Sequence, residues 1–272
     1  MTRFSERYGF AKPKPMLKAD EITPELRNGV WNTLDKYFRQ GVYNRKFDSL
    51  SCNLRHYFFK LPVDERSSNS HSERETLLGL YFGLEFPRFY DFLEFLVGIP
   101  STVEDAETWT GRCNKVLEEE RARFRFVGKL IAPITEPHEI EEIENASSDG
   151  FGSEHIRQAV SLYAKRPNPD YRNSIKESIS AVEATLRNLT GKKHRNINHA
   201  LADLGDKRID LHPALKKGFS RIYGWTNDEN GIRHALMDSS STVGEAEARL
   251  MLVMCSAYVN YLTSLSTAKD IE

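Results

Sequence analysis

The chain lacks the features that announce the commonest chemistries. Its three cysteines, Cys52, Cys113 and Cys255, lie far apart and form no CxxC pair. That spacing argues against a thiolate zinc site or a disulfide framework and fits a reducing compartment. No GxGxxG or GxxxxGK[ST] loop is present to cradle a phosphate, and no HExxH offers metal spacing. A GxSxG nucleophile elbow is also missing. Neither sign of charge dominates: 38 Lys and Arg stand against 39 Asp and Glu, for a net charge of -1. Any anion site must therefore come from local clustering. Long apolar runs are scarce as well. The stretch Leu250 to Leu265 is broken by Ser256, Asn260 and Ser264 and is shorter than the ~20 residues of a membrane span. The opening MTRFSERYGF has no apolar signal-peptide core. A cytoplasmic protein without membrane contact is the expectation, with no metal and no cofactor.

What is present is a globular balance, 39% hydrophobic and 28% charged. The 272 residues suffice for two domains of roughly 100–150 residues each. Leu26, Val30, Leu34 and Phe38 recur every four residues behind Thr23 and Pro24, a capped helix start. LSCNLRHYFF, from Leu50 to Phe59, reads as a further helix, and Asp64 to Ser72 as a loop. The aromatic run Glu73 to Val97 is expected to break into two helices at Pro87. A helix is also expected over Glu104 to Arg121. In RFRFVGKLIAPI, short alternations flank Gly128-Lys129, and a small β-hairpin is expected within 123–134. The acidic run Glu136 to Glu144 suggests a short helix, and NASSDGFGS, from Asn145 to Ser153, has the composition of a linker. Domains 1–145 and 146–272 follow.

The second half is patterned most clearly. Ile175, Ile179, Val182, Leu186 and Leu189 form one stripe of a helix ended by Gly191. Short helices are expected near Asn196 to Leu204 and Pro213 to Tyr223, then a loop from Gly224 to Ser241. A long helix, Glu245 to Leu265, closes the chain. It is apolar around most of its circumference, which suits the centre of a bundle or a bundle with a partner's matching helix. The fold class is all-α.

Between Leu186 and Ile222, nine Lys or Arg face only Asp203, Asp206 and Asp210, a local surplus of six. Arg187, Lys192, Lys193 and Arg195, with His194, lead this cluster and are the candidate contacts to a phosphate backbone. The plain alternative is a set of solvated helix faces. Arg233 and His234 just ahead of the closing helix are the candidate catalytic pair. Imidazole moves protons near neutrality, and guanidinium grips a phosphate through two hydrogen bonds. Those functions suffice for metal-free RNA cleavage by the 2′-hydroxyl; the alternative is a loop pair tying helix ends together. Glu183, on the flank of the stripe, is placed to orient a histidine or arginine from a neighbouring helix, or to make an ordinary ion pair. His199 and His212 read as structural or solvent-facing. Tyr223 and Trp225 suit core packing before base stacking.

DYRNSIKESISAVEATLRNLTG (170–191), LHPALKKGFSRIYGWTNDENGIRHAL (211–236) and EARLMLVMCSAYVNYL (247–262) together resemble a bacterial HEPN-type C-terminal domain. FSERYGF (4–10) and ITPELRNGVWNTL (22–34) resemble the N-terminal domain of AbiJ-type abortive-infection proteins. The resemblance implies a four- or five-helix bundle that dimerises and brings two active-site motifs into one cleft. It also implies a metal-independent endoribonuclease acting in phage defence by abortive infection or as a toxin. The N-terminal domain would then meet a trigger or a protein partner. The family motif separates an arginine from a following histidine by four to six residues, just before the last helix. Arg233 keeps the place, but His234 follows it directly. Arg66 with His71, and Arg187 with His194, keep the spacing at other places in the chain, a number expected by chance. The alternative function is an inactive HEPN-like dimerisation or adaptor module that binds a protein partner or RNA.

Overall fold

The computed structural model describes residues 4–12, 14–41, 45–99, 106–194, 196–205, 209, 211–227 and 243–267. Described residues are overwhelmingly helical, with one two-stranded antiparallel sheet. The all-α expectation holds. By contacts the chain divides into two compact units, residues 1–135 and 136–272.

In the first unit, α1 (Phe4–Arg7) precedes α2 (Pro24–Gly41). The Thr23 hydroxyl accepts from the Leu26 N–H at 3.2 Å, and Leu26, Val30 and Leu34 are buried. α3 (Arg45–Asn53) runs on into a π-helical turn, Leu54–Phe59. That turn carries Arg55 inward. Its guanidinium grips Glu73 at 2.7 and 3.0 Å, and Ser51 donates to the same carboxylate at 2.6 Å. Glu73 is wholly buried. Burial alone would push its carboxyl upward, but the bonds from Arg55, Ser51 and the Ser67 N–H hold it below the usual value.

Glu73 lies in α4 (Ser70–Phe82), capped by the Asn69 side chain, which accepts from the His71 and Ser72 N–H groups. α5 (Arg88–Gly98) starts right after Pro87, the expected break. Phe58, Tyr81, Phe89 and Phe92 from these elements pack edge-on or tilted in the core. α6 (Ala106–Glu119) leads to β1 (Arg125–Val127) and β2 (Leu130–Ala132), paired Val127 to Leu130 across Gly128-Lys129. Gly128 has φ +60, as a tight hairpin turn requires.

The second unit holds α7 (Pro137–Ser147), α8 (Ser153–Ala164), α9 (Tyr171–Thr190), α10 (Ile197–Asp203), α11 (Pro213–Asn227) and α12 (Glu245–Thr267). α9 packs most extensively against α12 and α8, and α12 also packs against α7. Two stripes of α9 are buried. The apolar one is Ile175, Ile179, Val182 and Leu186; the small one is Ser174, Ser178, Ala181 and Thr185. The Ser174 hydroxyl donates to Ala159 O in α8 at 2.8 Å, and Thr185 donates to Phe151 O at 2.7 Å.

The Asn145–Ser153 stretch, expected as a linker, lies after the contact division, which falls before α7. It is the turn from α7 into α8, and Gly152 within it has φ +92. A Cβ there would lie 2.5 Å from Ala181 O. Small polar residues mark tight turns and loose linkers alike, so composition could not separate the two.

Gly152→Ala is expected to cost roughly 2 kcal/mol or more, through the positive φ and the clash with α9 backbone. A urea midpoint equal to wild type would refute this. Glu73→Gln leaves a charged Arg55 buried without its counter-ion, and the expected loss is about 3–5 kcal/mol. A carboxylate whose folded pKa is lowered stabilises fully above its ordinary value of 4.5. That contribution is lost as pH falls through the folded value. The variant should therefore show a shallower loss of stability below pH 4.5, read by chemical denaturation across pH.

Candidate functional site

α9 presents the described candidate residues in order along one helix and the turn after it. The Asp170 side chain caps its start by accepting from the Asn173 N–H at 3.2 Å. Gly191 ends it in the left-handed region at φ +69, donating its N–H to the carbonyls of Arg187 and Asn188. Glu183 is half-buried on the flank of the apolar stripe, and its Oε1 accepts from the Tyr223 hydroxyl of α11 at 3.2 Å. Tyr223 is 8% exposed, so this bond ties α9 to α11 at the edge of the core. A tyrosine between apolar neighbours reads as packing in the sequence, and only the fold brings its hydroxyl to a carboxylate.

Arg187 lies exposed in the last turn of α9, where a cation complements the helix macrodipole. Lys192 and Lys193 follow, both exposed. His194 differs. Its side chain is 9% exposed, and its Nε2 sits 2.7 Å from Thr190 Oγ1. Thr190 commits its hydroxyl hydrogen to Leu186 O at 2.9 Å, so the ring N–H is the donor. Asp203 of α10 stands 3.7 Å from the other ring nitrogen and 3.6 Å from Lys192 Nζ. His194 thus pins this turn, with its side chain largely buried. Arg187, Lys192 and Lys193 keep outward faces. His199 and His212 are exposed; the His212 Nδ1 accepts from the Ala214 N–H at the start of α11.

Tyr223 is buried as expected for packing, but Trp225 is not: it is 41% exposed. Arg195, Arg233 and His234 lie outside the described residues. Among the described residues, no group of three or more His, Cys, Asp or Glu could hold a metal ion, and no helix is long and apolar enough to cross a membrane.

The family model for AbiJ N-terminal domain 4 matches residues 2–149. This chain belongs to the AbiJ N-terminal domain 4 family. The membership puts it in an abortive-infection context. No curated protein and no solved structure matches the chain. The AbiJ match runs past the contact division at residue 135 and takes in α7. α7 of this AbiJ-family protein therefore lies inside the family's span yet packs against α8 and α12. Arg249 of α12 donates to Glu139 at 2.7 Å, and Asn260 donates to Glu142 Oε2 at 2.7 Å.

In this AbiJ-family chain, Tyr223→Phe keeps the ring and removes the hydroxyl that reaches Glu183. The expected cost is about 0.5–1.5 kcal/mol, seen as a lower urea midpoint at unchanged slope. A midpoint within error of wild type would show that the bond contributes nothing.

Proposed function

We propose that this protein is a metal-independent endoribonuclease that acts in phage defence by abortive infection, with a HEPN-type C-terminal bundle. One observation carries the reading. The second unit is a helical bundle whose closing helix, α12, is preceded in sequence by the Arg233-His234 pair. Glu183 and Tyr223, on the helices α9 and α11, add polar groups to the same bundle. The AbiJ-family N-terminal portion supports the defence setting.

In the proposed reaction the 2′-hydroxyl of the substrate attacks the adjacent phosphorus. His234 accepts the proton from O2′ as general base. The P–O5′ bond breaks, O5′ takes a proton from water while His234 returns its own to solvent, and the products are a 2′,3′-cyclic phosphate and a 5′-hydroxyl. Arg233 binds the non-bridging oxygens and offsets the charge that builds there. Glu183 orients one of the pair. Arg187, Lys192, Lys193 and Arg195 draw in the RNA backbone by counter-ion release. A second copy of the chain completes the cleft. The outward side of α12, where Leu250 is 57% and Tyr261 37% exposed, supports such a pairing. The N-terminal portion meets the trigger or a protein partner, and the protein works in the cytoplasm.

A second reading is favoured by one specific feature, the missing residues between Arg233 and His234. It is an inactive HEPN-like module used for dimerisation or as an adaptor for a protein or RNA. Purified protein incubated with total RNA in EDTA is expected to give fragments, and the Arg233→Ala/His234→Ala variant to give none. Expression of wild type should slow growth, and expression of the variant should not. Intact RNA with normal growth, or equal cleavage by the variant, would reject the nuclease site.

A further inference from the structure

Among the described helices of the second unit, α11 alone carries cations and no acid of its own. Its fifteen residues, PALKKGFSRIYGWTN, hold three cations and no Asp or Glu. The face it turns to solvent is ordered. Lys217, Arg221 and Trp225 recur every four residues and are all exposed. Steps of four residues lie about 6 Å apart along the axis and drift by about 40° around it. The three therefore share one face of the helix. Lys216 flanks the row, half-buried. None of the three cations forms an ion pair with another described residue. The opposite face is fixed by core contacts: Phe219 stacks on Tyr258 of α12 at 4.0 Å and 5°, and Tyr223 bonds Glu183. The row thus stands on a helix that cannot easily turn it inward.

Two cations with no ion-pair partner among the described residues, followed by an open indole, match the two repeating parts of an unpaired nucleic-acid strand. Phosphates meet Lys217 and Arg221, and a base lies on the indole. A duplex offers phosphates but keeps its bases stacked on each other, so the indole has nothing to receive. A large aromatic ring left 41% exposed one turn beyond two helix cations is costly for solubility and useful for stacking.

We propose that the Lys217–Arg221–Trp225 face of α11 is a docking track for single-stranded RNA, with Trp225 as its stacking platform. This deepens the nuclease reading by naming unpaired RNA as the substrate class, and it concerns residues outside the Arg233-His234 pair.

The test uses the full chain and a 2′-O-methyl oligouridine, which offers no free 2′-hydroxyl for attack, so binding is read apart from cleavage. The chain has three tryptophans. Trp31 is 6% and Trp109 0% exposed, so quenching by added RNA reports on Trp225. The expected result is saturable quenching, with a labelled oligonucleotide showing roughly tenfold weaker binding to Trp225→Ala. Trp225→Phe should bind nearly as wild type while losing the quenching. Lys217→Gln/Arg221→Gln should lower the slope of log affinity against log salt by about 1.4. Wild-type affinity in Trp225→Ala and in the double variant would overturn the proposal. So would equal affinity for a duplex of the same length. If track binding is found while EDTA-treated total RNA stays intact with wild type, the nuclease reading fails alone; cleavage unaffected by the track variants leaves that reading standing without the track.

Discussion

The C-terminal unit depends on a single constraint: α9 is buried along two stripes at once. Its apolar stripe of Ile175, Ile179, Val182 and Leu186 supplies the transfer free energy of a core helix. Its small stripe of Ser174, Ser178, Ala181 and Thr185 permits close backbone approach; Ser178 and Thr185 bond carbonyls one turn back, and Ser174 bonds Ala159 O in α8. Gly152 is the counterpart of that approach, because no side chain fits above Ala181 O. A helix held on both sides has little freedom to rotate. Whatever projects from its remaining arc, Glu183 and Arg187 above all, is fixed in direction by packing alone.

The turn after α9 extends this rigidity to residues that packing does not reach. Gly191 closes the helix, and the Thr190 hydroxyl then receives the His194 ring N–H. Asp203 stands beside both His194 and Lys192. One histidine is spent inward so that the neighbouring lysines stay outward on a short, pinned loop. A surface ion pair such as Lys192 with Asp203 is worth little by itself. Its effect here is on direction, since it holds one ammonium near α10 and leaves Lys193 free to face solvent.

Much of this was readable from residue order, and the failures share a cause. Period-four apolar spacing announced α2, a 3.6-residue stripe announced α9, and apolarity around most of its circumference announced α12. The Gly128-Lys129 hairpin followed from alternation around a turn pair, and Pro87 marked the helix break. All are local rules, which depend only on neighbours in the chain. The Asn145–Ser153 stretch holds the turn from α7 into α8, and a turn under compression and a loose tether use the same small residues. α8 had a usable signal in Ile156, Ala159, Val160 and Tyr163, masked by the linker-like composition just ahead of it. The inward His194, the Tyr223–Glu183 bond and the outward Trp225 depend on which helix lies alongside. No spacing within one helix contains that information.

The adjacency of Arg233 and His234 carries a geometric consequence of its own. Neighbouring side chains diverge by about 100° around a helix and by about 180° along a strand. On a helix, residues separated by four or five others also diverge, by about 120–140°, and only those separated by six return to within about 20° of one face. An adjacent pair on regular backbone points its two side chains apart. Two arrangements relieve the conflict. In one, irregular backbone turns both side chains the same way. In the other, two copies face each other, and the arginine of one stands opposite the histidine of its partner. Only the second makes activity depend on protein concentration around the dimer dissociation constant, and it allows a mixed dimer of the two single variants to regain one complete site. The adjacency thus ties the proposed nuclease reading to assembly: a pair that acts from regular backbone would be completed by a second copy of the chain.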